Sequence, residues 1–255
     1  MVRALGIDLA WGARAATGLC ALEATRGRWR VVDSRLAQCD DQIVAWVSEY
    51  AHGPCVVAID APLFIPNRTG SRACDLAVMR AYGTYGIGVH ACNQELFASR
   101  PHSRRIRCRL EAELGFHEAL SGPPTHRVYF ETYPHPAIVN LLQLDERIPY
   151  KKGPVACRRK NLAKLAGLLL ARLPALDPPV CDNAALHAVL APPFEQLKGR
   201  ARKNAEDVID ALVCAYIAAS WHAHELGRNE KHGEPGQGMM IFPARHAAVQ
   251  AGPAP

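Results

Sequence analysis

The 255-residue chain contains no run of about 18 apolar residues, which argues against a membrane-spanning helix. None of its nine cysteines forms a CxxC pair, and their spacing fits neither a zinc site nor a disulfide framework. Reduced, mostly buried thiols in a cytoplasmic protein are therefore expected. The opening MVRALGIDLAWG enters a strand-like pattern directly and lacks a signal-peptide layout, which points the same way. No internal repeat is visible. At 49% hydrophobic and 21% charged residues the chain reads as one large α/β domain over 1–255, with a loose tail from about 245.

Acidic residues are missing from three stretches: 100–109 (RPHSRRIRCR), 151–164 (KKGPVACRRKNLAK) and 198–203 (KGRARK). Together these hold half of the 30 lysines and arginines, so the rest of the chain is net acidic. Such segregation favours an anionic partner, and arginine forks suit phosphodiesters. Candidate nucleic-acid contacts are Arg104, Arg105, Lys151, Lys152, Arg158, Arg159, Arg202 and Lys203. The alternative is three solvated loops that never meet. Aromatic residues are also missing from these stretches, so base stacking is not indicated by them.

Against that background the strands and helices can be placed. VRALGID (2–8), TGLCALEA (17–24) and WRVVDSRLA (29–37) read as an antiparallel meander. Residues 40–53 have helical spacing, and CVVAID (55–60) is a nearly all-apolar strand of the kind covered on both faces. Residues 62–124 are rich in glycine, proline and arginine and read as a helical or loop insertion, with helices near 71–82 and 108–120. HRVYFETYP (126–134) is a further strand, closed by Pro134. Helices follow over about 157–173, 181–190 and 205–226, and MMIFPA (239–244) is a last short strand.

Asp8 and Asp60 each end a short apolar strand, in GID and AID. If residues 40–53 form a right-handed crossover, the two strands run parallel and both acids emerge at one carboxyl edge, where open α/β sheets place ligands. Glu131 emerges near the end of a third strand, and Asp207 and Asp210 share a face of the late helix. Crowded carboxylates need protonation or a cation between them, and an all-oxygen set suits Mg²⁺ or Mn²⁺. Two such ions can assist phosphodiester hydrolysis. Each acid also has a plainer reading. Asp8 and Asp60 could be turn residues, and Glu131 could face solvent. Asp207 could be the N3 partner of an Asn204 cap. Asp210 lies a turn further in, where capping does not explain a charge.

GIDLAW, AIDAPL, ETYPHP, DVIDALVCAY and the late IFP resemble, in order and spacing, the family called domain of unknown function 429. That family is described as predicted nucleases with a ribonuclease H-like fold. The resemblance covers about residues 3–243. It implies a mixed five-stranded sheet, three antiparallel strands followed by two parallel ones, flanked by helices. The late helix is similar to that of Holliday-junction resolvases. Carried over by position, Asp8 matches the first-strand acid, Asp60 the fourth-strand acid, and Asp207 and Asp210 the helix pair. Glu131 belongs to the family's own E-x-Y-P motif and has no ribonuclease H counterpart. The glutamate that ribonucleases H carry on the first helix has no clear match in DDQIVAWVSEYA.

These observations lead to an expected metal-dependent nuclease or related phosphoesterase. Asp8, Asp60, Glu131 and Asp210 would be catalytic, and Asp8, Asp60, Asp207 and Asp210 would bind metal. Its partner would be DNA, RNA or another phosphate ester, with no membrane involved. The alternative is a non-catalytic nucleic-acid-binding or scaffold protein of the same fold. An actin-like ATPase or kinase would need Gly-rich nucleotide loops, and AIDAPL has no glycine there. GTYGIGVH fits no phosphate-loop pattern and reads as a lid or turn.

Overall fold

The computed structural model describes residues 1–11, 15–99, 101–121 and 126–245; most of the expected loose tail, 246–255, lies outside them. β1 (Arg3–Asp8), β2 (Thr17–Thr25) and β3 (Arg28–Ala37) form the antiparallel meander. The β2–β3 hairpin closes on Arg26 and Gly27, both at positive φ (51° and 76°), the backbone that matches the twist of a two-residue turn. α1 (Asp40–Tyr50) then crosses over to β4 (Cys55–Ile59), which lies parallel to β1 with Ile7 beside Ile59.

The region from residue 62 to 124 carries α2 (Ala73–Tyr82), the single turn α3 (Gln94–Phe97), α4 (His102–Leu114) and a two-residue β5 (His117–Glu118). β6 (Arg127–Glu131) returns parallel to β4. The strand ends at Glu131, and Pro134 opens α5 (Pro134–Leu141), because proline fits the first helical position, where no amide donor is needed. α6 (Val155–Arg172), α7 (Ala184–Leu190) and α8 (Gly199–His224) follow, then β7 (Asn229–Gly233) and β8 (Met239–Pro243). No helix among the described residues is long and apolar enough to cross a membrane.

Among the described residues the sheet is mixed and has eight strands, not five, in the order β3-β2-β1-β4-β6-β8-β7, with β5 beside β6. β8 extends the sheet past β6 by a single register pair, Glu131 with Met240. β7 (NEKHG) has no apolar alternation and pairs only at the outer edge, which is why pattern alone misses it.

Alternation along the strands sends side chains to two cores. Leu5, Ile7, Val57 and Ile59 pack under α1 and α4. Ala4, Ala58 and Phe130 pack under α5 to α8. The second face uses small residues because α8 lies directly on it. A Cβ at Gly6 would come within 2.0 Å of the Ala211 carbonyl oxygen, and one at Gly18 within 2.1 Å of the Asp207 carbonyl oxygen. Glycine in β1 and β2 is thus what lets the α8 backbone touch the sheet.

Candidate functional site

Asp8 is the last residue of β1, and Asp60 follows β4, its amide donating to the Ile7 carbonyl at 2.8 Å. Parallel pairing of β1 with β4 therefore delivers both acids to the same sheet edge. The close seat of α8 on Gly6 and Gly18 brings Asp207 and Asp210 over that edge. Helix α8 begins at Gly199, six residues earlier than the apolar pattern suggests, because KGRARK forms its opening turns. Asn204 and Asp207 are therefore both helix-interior residues, and capping does not explain Asp207.

Asp210 is completely buried and receives two groups. The Tyr150 hydroxyl donates to Oδ1 at 2.6 Å. The Lys151 ammonium lies 2.6 Å from Oδ2, close enough for an ion pair but not aligned as a hydrogen bond, so that oxygen lacks a directed donor. Burial raises the Asp8 pKa well above the carboxylate range, with Asp210, Asp60 and Asp207 adding repulsion and Lys151 opposing it. Burial and Asp210 likewise push Asp60 up to about 7, again against Lys151. Burial disfavours the Lys151 charge, but Asp210, Tyr150, Asp8 and Asp60 more than offset this and hold it protonated. One ammonium is thus the positive charge these acids share.

The acids open onto a cleft of about 400 Å³ lined by Asp8, Asp60 and Asp207 and, facing them, by Arg147, Lys151, Lys152 and Lys203. Lys203 binds Asp207 at 2.5 Å and Glu206 at 2.9 Å. Asp207 is itself raised, by burial, against the pull of Lys203. His135 also lines the cleft; burial and the cations Lys151, Arg147 and Lys152 push its pKa down to about 3, so its ring is neutral.

Glu131 stands apart from this group in its bonding. It is buried and accepts from both terminal nitrogens of Arg72, at 2.8 and 2.6 Å, and from the Leu63 amide at 3.0 Å. Arg72 also binds Asp75, closing a fully buried network. With its oxygens taken, Glu131 is a strut that fixes the segment after β4 and thereby Asp60.

The basic stretches divide. Lys151, Lys152 and Lys203 meet at the cleft, from the loop before α6 and from the start of α8. Arg158 and Arg159 sit half-buried on the first turns of α6. Arg202 is buried and its guanidinium pairs with Glu206 at 2.6 Å. The 100–109 stretch is largely neutralised within the fold. Arg105 binds Asp40, Arg107 binds Glu111, and Arg109 binds Asp41 and Glu113, while Arg104 is exposed. These stretches are mostly helical, not loops. Tyr150, His135 and Arg147 were not singled out from sequence; TYPHP holds the histidine, but nothing local marks Tyr150 or Arg147 as neighbours of Asp210.

Asp8, Asp60 and Asp210 offer only hard carboxylate oxygens, one of them without a directed donor, a set whose chemistry fits a divalent cation. Among the described residues no three Asp, Glu, His or Cys side chains already close on one point as a metal cage. The Lys151 ammonium fills the role of counter-charge.

No curated protein matches the chain. A family model described as "Protein of unknown function (DUF429)" matches residues 6–234, from the strand that delivers Asp8 past the helix that carries Asp210, and the chain belongs to that family.

Proposed function

We propose that the protein is a ribonuclease H-like, divalent-metal-dependent phosphoesterase acting on nucleic acid. The observation that carries this reading is the meeting of Asp8, Asp60 and Asp207 with Arg147, Lys151, Lys152 and Lys203 in a single cleft, with Asp210 buried behind them against Lys151. Acids alone would repel a phosphodiester, and cations alone would bind one without changing it. Both together, the acids held at strand ends and on a helix, match what phosphoryl transfer needs.

Asp8, Asp60 and Asp210 would hold Mg²⁺ or Mn²⁺, with Asp207 beside them. The metal would supply Lewis-acid stabilisation of charge on phosphate oxygens during cleavage. Lys152 and Arg147, which line the cleft, would bind non-bridging phosphate oxygens, and the neutral His135 adds no competing charge. Tyr150 holds the Asp210 carboxylate in orientation through its 2.6 Å hydrogen bond. Binding led by phosphate contacts should weaken steeply with salt.

A second reading is favoured by one contact. Because Lys151 already neutralises Asp210, the fold could bind nucleic acid without a metal and without cleaving it. Cleavage of single- and double-stranded DNA and RNA with Mn²⁺, by wild type, Asp8→Asn and Asp210→Asn, separates the two. Loss of at least a hundredfold in both variants, with folding intact, supports the phosphoesterase. Binding by wild type with no cleavage under any metal supports the non-catalytic reading.

A further inference from the structure

Beside the carboxylate cleft lies a narrow slot of about 60 Å³ whose rim is aromatic. Trp11, His90, Tyr133 and Asp60 line both spaces, so the two are continuous. Three separate segments bring these rings together: the end of β1, the GTYGIGVH stretch and the end of β6. The basic stretches supply no aromatic residue, and the fold provides them from elsewhere.

Trp11 is 41% exposed, whereas Trp29, Trp46 and Trp221 are all buried. Its indole is held edge-on by His90 at 5.8 Å and by Phe97 at 5.5 Å. An exposed tryptophan fixed by two neighbouring rings is oriented before any ligand arrives. Tyr133 is also fixed, its hydroxyl donating to the Gly88 carbonyl at 2.8 Å, which ties the GTYGIGVH segment to the cleft wall. The polar floor of the slot is the Arg72–Glu131–Asp75 network, whose ion pairs are already made within the protein. What remains to a ligand is a flat, apolar, aromatic surface with a cationic phosphate site next to it.

We propose that this slot is a nucleobase subsite with Trp11 as its stacking platform, so that the substrate is a nucleotide unit and not a base-free phosphate ester. The inference rests on the phosphate-binding reading of the cleft given above. A base whose phosphate lies among Arg147, Lys151 and Lys152 would stack against Trp11, with one edge in the slot. Stacking is tolerant of base identity, so affinity rises without strong sequence preference.

Because Trp11 is the one exposed indole among the four, quenching of tryptophan emission reports on it. The full chain is titrated with adenosine 5′-monophosphate, ribose 5-phosphate and adenosine, by fluorescence and by calorimetry, with circular dichroism checking each variant. The nucleotide should bind about ten- to a hundredfold more tightly than the sugar phosphate, the range that stacking of one base supplies, and should quench emission. Trp11→Leu should bring the nucleotide down to the sugar phosphate's affinity while leaving the latter unchanged, and Trp11→Phe should keep part of the gain. If ribose 5-phosphate binds but the nucleotide gains nothing, the subsite is overturned and the phosphate cleft stands. If adenosine quenches and ribose 5-phosphate does not bind, the subsite stands and the phosphate reading falls. Failure of both adenosine and the nucleotide to quench overturns the subsite.

Discussion

Replacing Gly6 by alanine tests the contact on which the whole site depends. The added Cβ would lie 2.0 Å from the Ala211 oxygen and 2.2 Å from the Ala215 nitrogen, both backbone atoms of α8. Ordinary van der Waals contact begins near 3.4 Å, so the helix or the strand must move by about 1.4 Å. Neither can turn aside as a flexible side chain would. Overpacking of this kind costs about 1–3 kcal/mol, and a backbone clash belongs at the upper end. For a chain of this size about 3 kcal/mol corresponds to a fall in Tm of roughly 6–12 °C. Gly167 is the internal control: it lies exposed within α6 with nothing near its Cβ direction, so Gly167→Ala should raise stability by about 0.5–1 kcal/mol through helix propensity. Scanning calorimetry on the three proteins decides the matter. If Gly6→Ala melts at or above the wild-type temperature, α8 does not rest on β1 as described, and the route by which Asp210 reaches Asp8 is wrong.

Two further substitutions probe groups away from that contact. Arg72→Met leaves Glu131 and Asp75 buried without their cation and should cost about 3–5 kcal/mol in urea denaturation; a loss below about 1 kcal/mol would mean that Glu131 is not a strut. Glu118 has its pKa raised from 4.5 to about 7, chiefly by burial, against a hydrogen bond from the Gly236 amide. The folded state then holds a proton that the unfolded state releases, so this group's contribution to stability falls as pH rises from about 4.5 to 7. Glu118→Gln should remove that slope, and identical pH–stability curves for the two proteins would contradict it.

Much of the frame is legible in the sequence because it rests on local pattern. GID and AID are short apolar runs ending in an acid, and the crossover between them forces parallel pairing with both acids at one edge. The late helix was legible from its periodicity, but its start was not. KGRARK carries too much charge to look like part of a buried helix, yet its residues are tied by pairs such as Arg202–Glu206 and Lys203–Glu206. β5 and β7 were illegible for a different reason: two residues, or five polar ones, carry no period and form only because a neighbouring strand offers hydrogen bonds.

Strand ends and helix spacing, each set within a few residues, limit which acids can be neighbours. Which charges remain available depends on the folded arrangement. Arg105 and Arg109 look free of Asp40 and Asp41 along the chain, 65 and 68 residues away, and bind them in the fold, whereas Lys151 is drawn out of a basic run to serve Asp210. Glu131, an acid among acids by sequence, is claimed by Arg72 from 59 residues away. A charge's long-range partner is selected by distance in space and by the cost of leaving it unpaired in a low-dielectric interior, and beyond neighbours on one helix face neither can be read from position along the chain.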